Sequence, residues 1–144
     1  LSVRHLVETP GGDLWFGTQW QGSLEDCPAL VGRVGLDRPI VLPEAADALG
    51  IALKGYIGAV ALSDDGRLLA ASAPLAGKVL YLDAATGNVV REVSIKDSSG
   101  VTPARGAAFA MSTGQGIVRL DGEAVPVRDL AFSGAEFDNH LRRV

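Results

Sequence analysis

The sequence predicts an all-β chain: part of a β-propeller, with about three four-stranded antiparallel blades and one extra strand at the C-terminal end. Three observations carry that expectation. First, residues 56–95 divide into four runs of strand length and strand composition, separated by turn residues. Second, polarity rises along those runs. Ile57-Gly58-Ala59-Val60-Ala61-Leu62 is small and apolar on both faces, whereas charges enter the interior of a run only in the fourth, at Arg91 and Glu92. A sheet buried on both faces at one edge and wet at the other fits a blade sandwiched between neighbours. A β-sandwich sheet would alternate more cleanly on every strand. Third, the pattern repeats. Gly66-Arg67-Leu68-Leu69-Ala70-Ala71-Ser72 matches Gly106-Ala107-Ala108-Phe109-Ala110-Met111-Ser112 at an offset of 40, Leu82-Asp83 matches Leu120-Asp121 at 38, and Gly12-Asp13-Leu14 matches Gly66-Arg67-Leu68 at 54. Periods of this size fit one blade each.

Taken in order, the first blade covers about 2–42. Its strands are 2–8, 13–18, 30–34 and a short 39–42, with turns at Thr9-Pro10-Gly11-Gly12 and at 35–38. A polar loop, 20–29, separates its second and third strands and lengthens the first period. Residues 43–49 fit a short helix near 43–50, with Pro43 in the first turn and Gly50 as the stop. The second blade covers about 56–95, with turns at Ser63-Asp64-Asp65-Gly66 and Ala84-Ala85-Thr86-Gly87. A polar connector follows at 96–103. The third blade covers about 100–130 and begins with a poor first strand near 100–104. The extra strand is 136–143, and its His140-Leu141 repeats the His5-Leu6 of the opening strand.

A length of 144 residues suits one domain, and 47% hydrophobic residues suffice for a core. A net charge of −4 without a basic run argues against nucleic acid as a partner. No apolar stretch reaches membrane-spanning length. Cys27 stands alone, so no intrachain disulfide forms and the redox compartment stays open. The opening Leu1-Ser2, without Met or signal peptide, reads as part of something longer and carries no information about location.

The strand–turn–strand Leu82-Asp83-Ala84-Ala85-Thr86-Gly87-Asn88-Val89-Val90 resembles those of WD-like and quinoprotein-like propellers. A narrower set occurs in order: Ser2-Val3-Arg4-His5-Leu6, Leu14-Trp15-Phe16-Gly17-Thr18-Gln19, Leu30-Val31-Gly32-Arg33, Gly55-Tyr56-Ile57-Gly58 and Phe137-Asp138-Asn139-His140-Leu141. Together they resemble the C-terminal part of an uncharacterised bacterial WD-like propeller family, a domain of unknown function. The resemblance covers nearly the whole chain, with Phe137 where the family carries Trp. It implies twin-arginine export to the periplasm and genes lying near imelysin-type and other iron-uptake genes. It supplies no catalytic residues and no cofactor.

The candidate ligand-binding residues are His5, Gln19, Trp20, Asp138, Asn139 and His140. The blade repeat puts His5 and His140 on innermost strands, near a central channel. One reading makes them channel-lining ligands or proton carriers beside Asp138 and Asn139. The plainer reading makes Asp138, Asn139 and His140 a hydrogen-bonded lock on the last strand. Two histidines without a third ligand are a weak metal signal. The carboxylates of Glu25 and Asp26 would raise the Cys27 thiol pKa and disfavour its thiolate. Asp64-Asp65-Gly66 lacks the terminal glutamate of a calcium loop and reads as a turn. Trp15 and Phe16 belong in the core, and Trp20 is the better candidate for an exposed contact.

These readings make a non-enzymatic periplasmic module the first expectation. It would bind a protein partner or small ligand, through the end of the blades that carries the long segments 20–29, 43–54 and 96–103. The alternative is a metal- or cofactor-dependent propeller enzyme or redox protein with His5 and His140 near its site. The bare blade faces also predict self-association of the chain through its terminal blades, as a two-fold dimer.

Overall fold

The structure is a computed structural model that describes residues 1–42, 50–105, 109–122, 127–138 and 140. Twelve strands form three four-stranded antiparallel sheets, each a simple meander. The first holds β1 (Ser2–Glu8), β2 (Leu14–Gln19), β3 (Val31–Gly35) and β4 (Arg38–Val41). The second holds β5 (Ala59–Leu62), β6 (Leu68–Ala73), β7 (Lys78–Asp83) and β8 (Val89–Ser94). The third holds β9 (Ser98–Pro103), β10 (Phe109–Thr113), β11 (Ile117–Asp121) and β12 (Arg128–Ala131). The chain is a partial β-propeller.

The second sheet supplies core to both neighbours, and period-2 alternation does the sorting. Val60, Leu62, Leu69, Ala71, Leu80 and Leu82 pack with Trp15, Leu30 and Val31 of the first sheet. Their alternates Ala59, Ala61, Ala70, Val79 and Tyr81 pack with Val101, Phe109 and Met111 of the third. Both faces of β5, β6 and β7 are therefore dry, as their mostly apolar composition requires. The fourth strands β4 and β12 are exposed throughout, and β8 nearly so, which is where the charged residues of each meander collect.

Four expectations need correction or bounding. The polar connector 96–103 is an innermost strand, β9, from Ser98 onward; the connector is only 95–97. Its serines look like loop residues, yet Ser98 is fully buried and its hydroxyl donates to Lys78 O at 3.0 Å, so the neighbouring sheet satisfies the polarity. Residues 43–49 of the expected helix lie outside the described residues. Residues 50–52 are helical, so Gly50 is not the stop. A β-carbon at Gly50 would lie 2.7 Å from Pro28 O and 3.0 Å from Cys27 Sγ, and that close approach is what demands glycine there. The register of β11 runs one residue off the repeat match. Leu69 pairs with Leu82 and its counterpart Phe109 pairs with Asp121, so Asp121 takes the place of Leu82 and points into the core. Finally, Glu136, Phe137, Asp138 and His140 are not in a strand, while Asn139 and residues 141–144 of the expected extra strand lie outside the described residues. A first strand of a blade takes its ladder from the second strand of the same blade, and among the described residues no strand pairs with this segment.

Candidate functional site

Alternate connections of a meander fall at opposite ends. One end carries loop 20–30 between β2 and β3 together with residues 50–58, the described stretch that leads into β5. These two segments brace each other. Trp20 N–H donates to Gly55 O at 2.8 Å, Gln19 and Tyr56 form an isolated antiparallel bridge, and Leu53 is buried in the core between the first and second sheets. Within the loop, Ser23 caps the 3-10 turn Leu24–Asp26 by accepting from Glu25 N–H. Trp20 is half-buried, not the open contact expected of it. Its indole Nε1–H donates to Ser23 O at 2.7 Å and the chain at Gly22 lies against its ring. Leu24 and Ile51 are exposed apolar side chains of this platform, at 44% and 52% exposure.

The histidines do not meet. His5, on β1, places Nδ1 3.0 Å from Val60 O and 3.1 Å from Val60 N of β5, across the innermost strands. It lines a groove of about 330 Å³ with Leu6, Val60, Leu62, Val101 and Thr102. His140 lines a separate groove of about 300 Å³ with Ser112, Glu136, Phe137 and Asp138. There its Nδ1 sits 3.1 Å from Asp138 Oδ2 and its backbone N–H donates to Asp138 Oδ1 at 2.8 Å. The backbone N–H of His140 and then its ring hold the Asp138 carboxyl below its ordinary pKa. Gln19 and Trp20 stand at the loop platform, apart from both grooves, and Asn139 lies outside the described residues. Among the described residues no three His, Cys, Asp or Glu side chains are grouped closely enough to hold a metal ion.

Cys27 is buried against Gly50, and its thiol pKa is raised by burial and not by Glu25 and Asp26. Asp65 closes its turn: it accepts from Ser63 Oγ at 2.6 Å, from Arg67 N–H at 3.1 Å and from Arg67 Nε at 2.6 Å. These hydrogen bonds, Ser63's first, lower its pKa from 3.8 to about 2. A folded-state pKa depressed in this way gives stability that is present above the ordinary value and lost as pH falls through about 2. A carboxyl-carbon NMR titration should place the Asp65 midpoint near 2, and Ser63→Ala should move it up toward the ordinary range.

Sequence reasoning missed the most buried charge. Asp121, 1% exposed, accepts from Tyr81 Oη at 3.3 Å and from Arg91 Nη2 at 3.1 Å, joining the second and third sheets. Arg91 also lies 5.3 Å over the Tyr81 ring. Burial, then the Asp121 charge, pushes the Tyr81 phenol well above its ordinary pKa. The signal in the sequence is an aspartate beside an apolar run, which the repeat match aligned with Asp83 and not with Leu82. Set between two sheets, this cluster fastens one blade to the next.

The model of the family described as "Protein of unknown function (DUF1513)" matches residues 1–144. No curated protein sequence matches the chain. Among solved structures the chain is similar to the Dos1 propeller, with a TM-score of 0.71 at 12% identity over 92% of this chain and 36% of that one. It is similar to U3-55K, with a TM-score of 0.70 at 16% identity over 94% and 41%. It is also similar to virginiamycin B lyase from Staphylococcus aureus, with a TM-score of 0.63 at 16% identity over 91% and 41%. The chain thus spans less than half the length of each. At these identities the likeness is one of fold, and propellers carry unrelated functions.

Proposed function

We propose that this chain, which belongs to the DUF1513 family, is a binding module without catalytic activity of its own, taking a protein partner or small ligand on the end that carries loop 20–30 and residues 50–58. One observation supports this above others: these two segments are fixed to each other, by Trp20 N–H on Gly55 O, and to the core by Leu53. Segments held in this way bind without first losing the entropy of ordering themselves. The periplasmic, iron-uptake setting is part of this proposal and rests on the family resemblance alone. The test is co-purification of the full gene product from the periplasm, with Leu24→Asp and Ile51→Asp compared with wild type. Both side chains are exposed, so thermal stability should hold while the bound species is lost. A stoichiometric metal that disappears on His5→Ala or His140→Ala would instead favour a metal-dependent enzyme.

The 144-residue chain is also expected to self-associate. Val3, Leu6, Ile40 and Val41 of the first sheet and Val127, Leu130 and Phe132 beside the third are exposed. Apolar faces of this kind associate in water, here as a dimer joined through those faces. Sedimentation at micromolar concentration should show it, and a clean monomer would refute it.

A further inference from the structure

One edge of β5 pairs with β6, and the other faces β1 across the innermost strands. Ser63 N–H, just past β5, donates to Leu68 O at 2.8 Å. Alternation along an antiparallel strand then gives Ala61 to β6 and turns the N–H and C=O of Val60 away from it. His5 of β1 occupies that edge. Its Nδ1 stands 3.1 Å from Val60 N and 3.0 Å from Val60 O, so one ring nitrogen faces a donor and an acceptor of the same residue. A neutral ring serves the donor. Val60 is 1% exposed, and a buried N–H is left unpaired more rarely than a buried C=O. Nδ1 then accepts from Val60 N–H, and the ring proton sits on Nε2. A charged ring serves the acceptor: Nδ1–H donates to Val60 O, and Nε2–H is still a donor. Either charge state keeps one bond to β5. In both, Nε2–H has no partner among the described residues.

The ring is half-buried and lines the groove of about 330 Å³ along the first strands of all three sheets. Leu6, Val60, Leu62, Val101 and Pro103 give that groove an apolar lining. His5 is its titratable side chain. The neighbouring strands β2, β5 and β9 carry no titratable residue, and Arg4 and Glu8, the charged residues of β1 itself, are exposed. We propose that this groove is a binding site for a small organic carboxylate with a short apolar tail, whose oxygen accepts from His5 Nε2–H. The apolar lining takes the tail. A carboxylate beside the ring favours its charged form. The proton drawn in moves the Nδ1 bond from Val60 N–H to Val60 O and leaves the imidazole in its seat, so one anion and one proton bind together. The site involves neither loop 20–30 nor residues 50–58, and it stands whether or not a partner binds there.

Butyrate is the probe, butyramide the uncharged control, and the readout is the ring nitrogen and proton resonances of His5 in the 144-residue chain. At about pH 8, where an imidazole is neutral, the ring should be the Nε2–H tautomer. Butyrate should shift the ring resonances saturably. Its dissociation constant should fall on the order of tenfold from about pH 8 to about pH 6, the span in which an imidazole charges. His5→Asn puts an amide at the Nδ1 position, keeps a bond to Val60 and removes Nε2. It should melt as wild type does and lose butyrate binding. The wild-type tautomer and titration decide the matter even where the variant unfolds. An Nδ1–H tautomer in the neutral ring, a shift that never saturates, or undiminished butyrate binding by His5→Asn would overturn the proposal. Butyramide binding as tightly as butyrate, without dependence on pH, would overturn the carboxylate in favour of a neutral acceptor.

Discussion

Trp15→Ala is expected to lower the unfolding free energy by about 3–5 kcal/mol, the range for emptying a large aromatic site in a core. Trp15 is 2% exposed and lies where the first sheet meets the second. Its indole Nε1–H donates to Ala84 O at 3.2 Å, and Arg33, whose guanidinium sits 5.7 Å from the ring, reaches Ala84 O and Ala85 O at 3.3 and 3.0 Å. One side chain therefore fills the interface, bonds the turn between β7 and β8 and supports the arginine that does the same. Trp15→Phe should recover most of the loss, since it restores volume and leaves Arg33 on the carbonyl; the remaining deficit would be about 1 kcal/mol, one hydrogen bond. Urea unfolding followed by far-UV circular dichroism measures both. A loss for Trp15→Ala of under about 1 kcal/mol, the size of a typical substitution, would mean that the first two sheets do not depend on this contact.

Asp121→Ala should cost about 2–3 kcal/mol. Breaking a fully buried ion pair costs about 3–5 kcal/mol, but Arg91 is 42% exposed and can return to water. The Tyr81 hydroxyl cannot: it keeps only the weak acceptor Met111 Sδ, at 3.7 Å, and a buried donor that loses its strong acceptor costs about 1–3 kcal/mol. The substitution that separates these effects is Asp121→Leu combined with Tyr81→Phe. Leucine matches Leu82 at the equivalent register position, and phenylalanine removes the stranded hydroxyl. The pair should be more stable than either single variant predicts, with a coupling of about 1 kcal/mol or more in a double-mutant cycle. Strict additivity would show that Tyr81 and Asp121 do not act together.

Much of the architecture was legible because its causes are local. Runs of strand length, turn residues and period-2 burial each depend on a few neighbouring residues, and they placed β1, β2 and β3 within a residue and the largely apolar second sheet between two others. Outer-strand polarity was legible for the same reason. The failures have one cause in common. Ser98 and Asp121 are polar, and whether such a residue is loop or core depends on a partner supplied by another sheet: Lys78 O for the one, and Tyr81 and Arg91 for the other, lie 20, 40 and 30 residues away. His5 and His140 share a His-Leu pair in the sequence, and each imidazole has its own partner in the structure, the backbone of Val60 for one and Asp138, two residues away, for the other. Trp20 was read as an open contact because nothing local announces that its indole would fold back onto Ser23 O. Alternation and turns, being covalently local, determine strands and the order of sheets. Register, the satisfaction of buried polar groups and the meeting of distant side chains are decided only when the sheets are stacked, because only then do the donors and acceptors of separate blades come within 3 Å of one another.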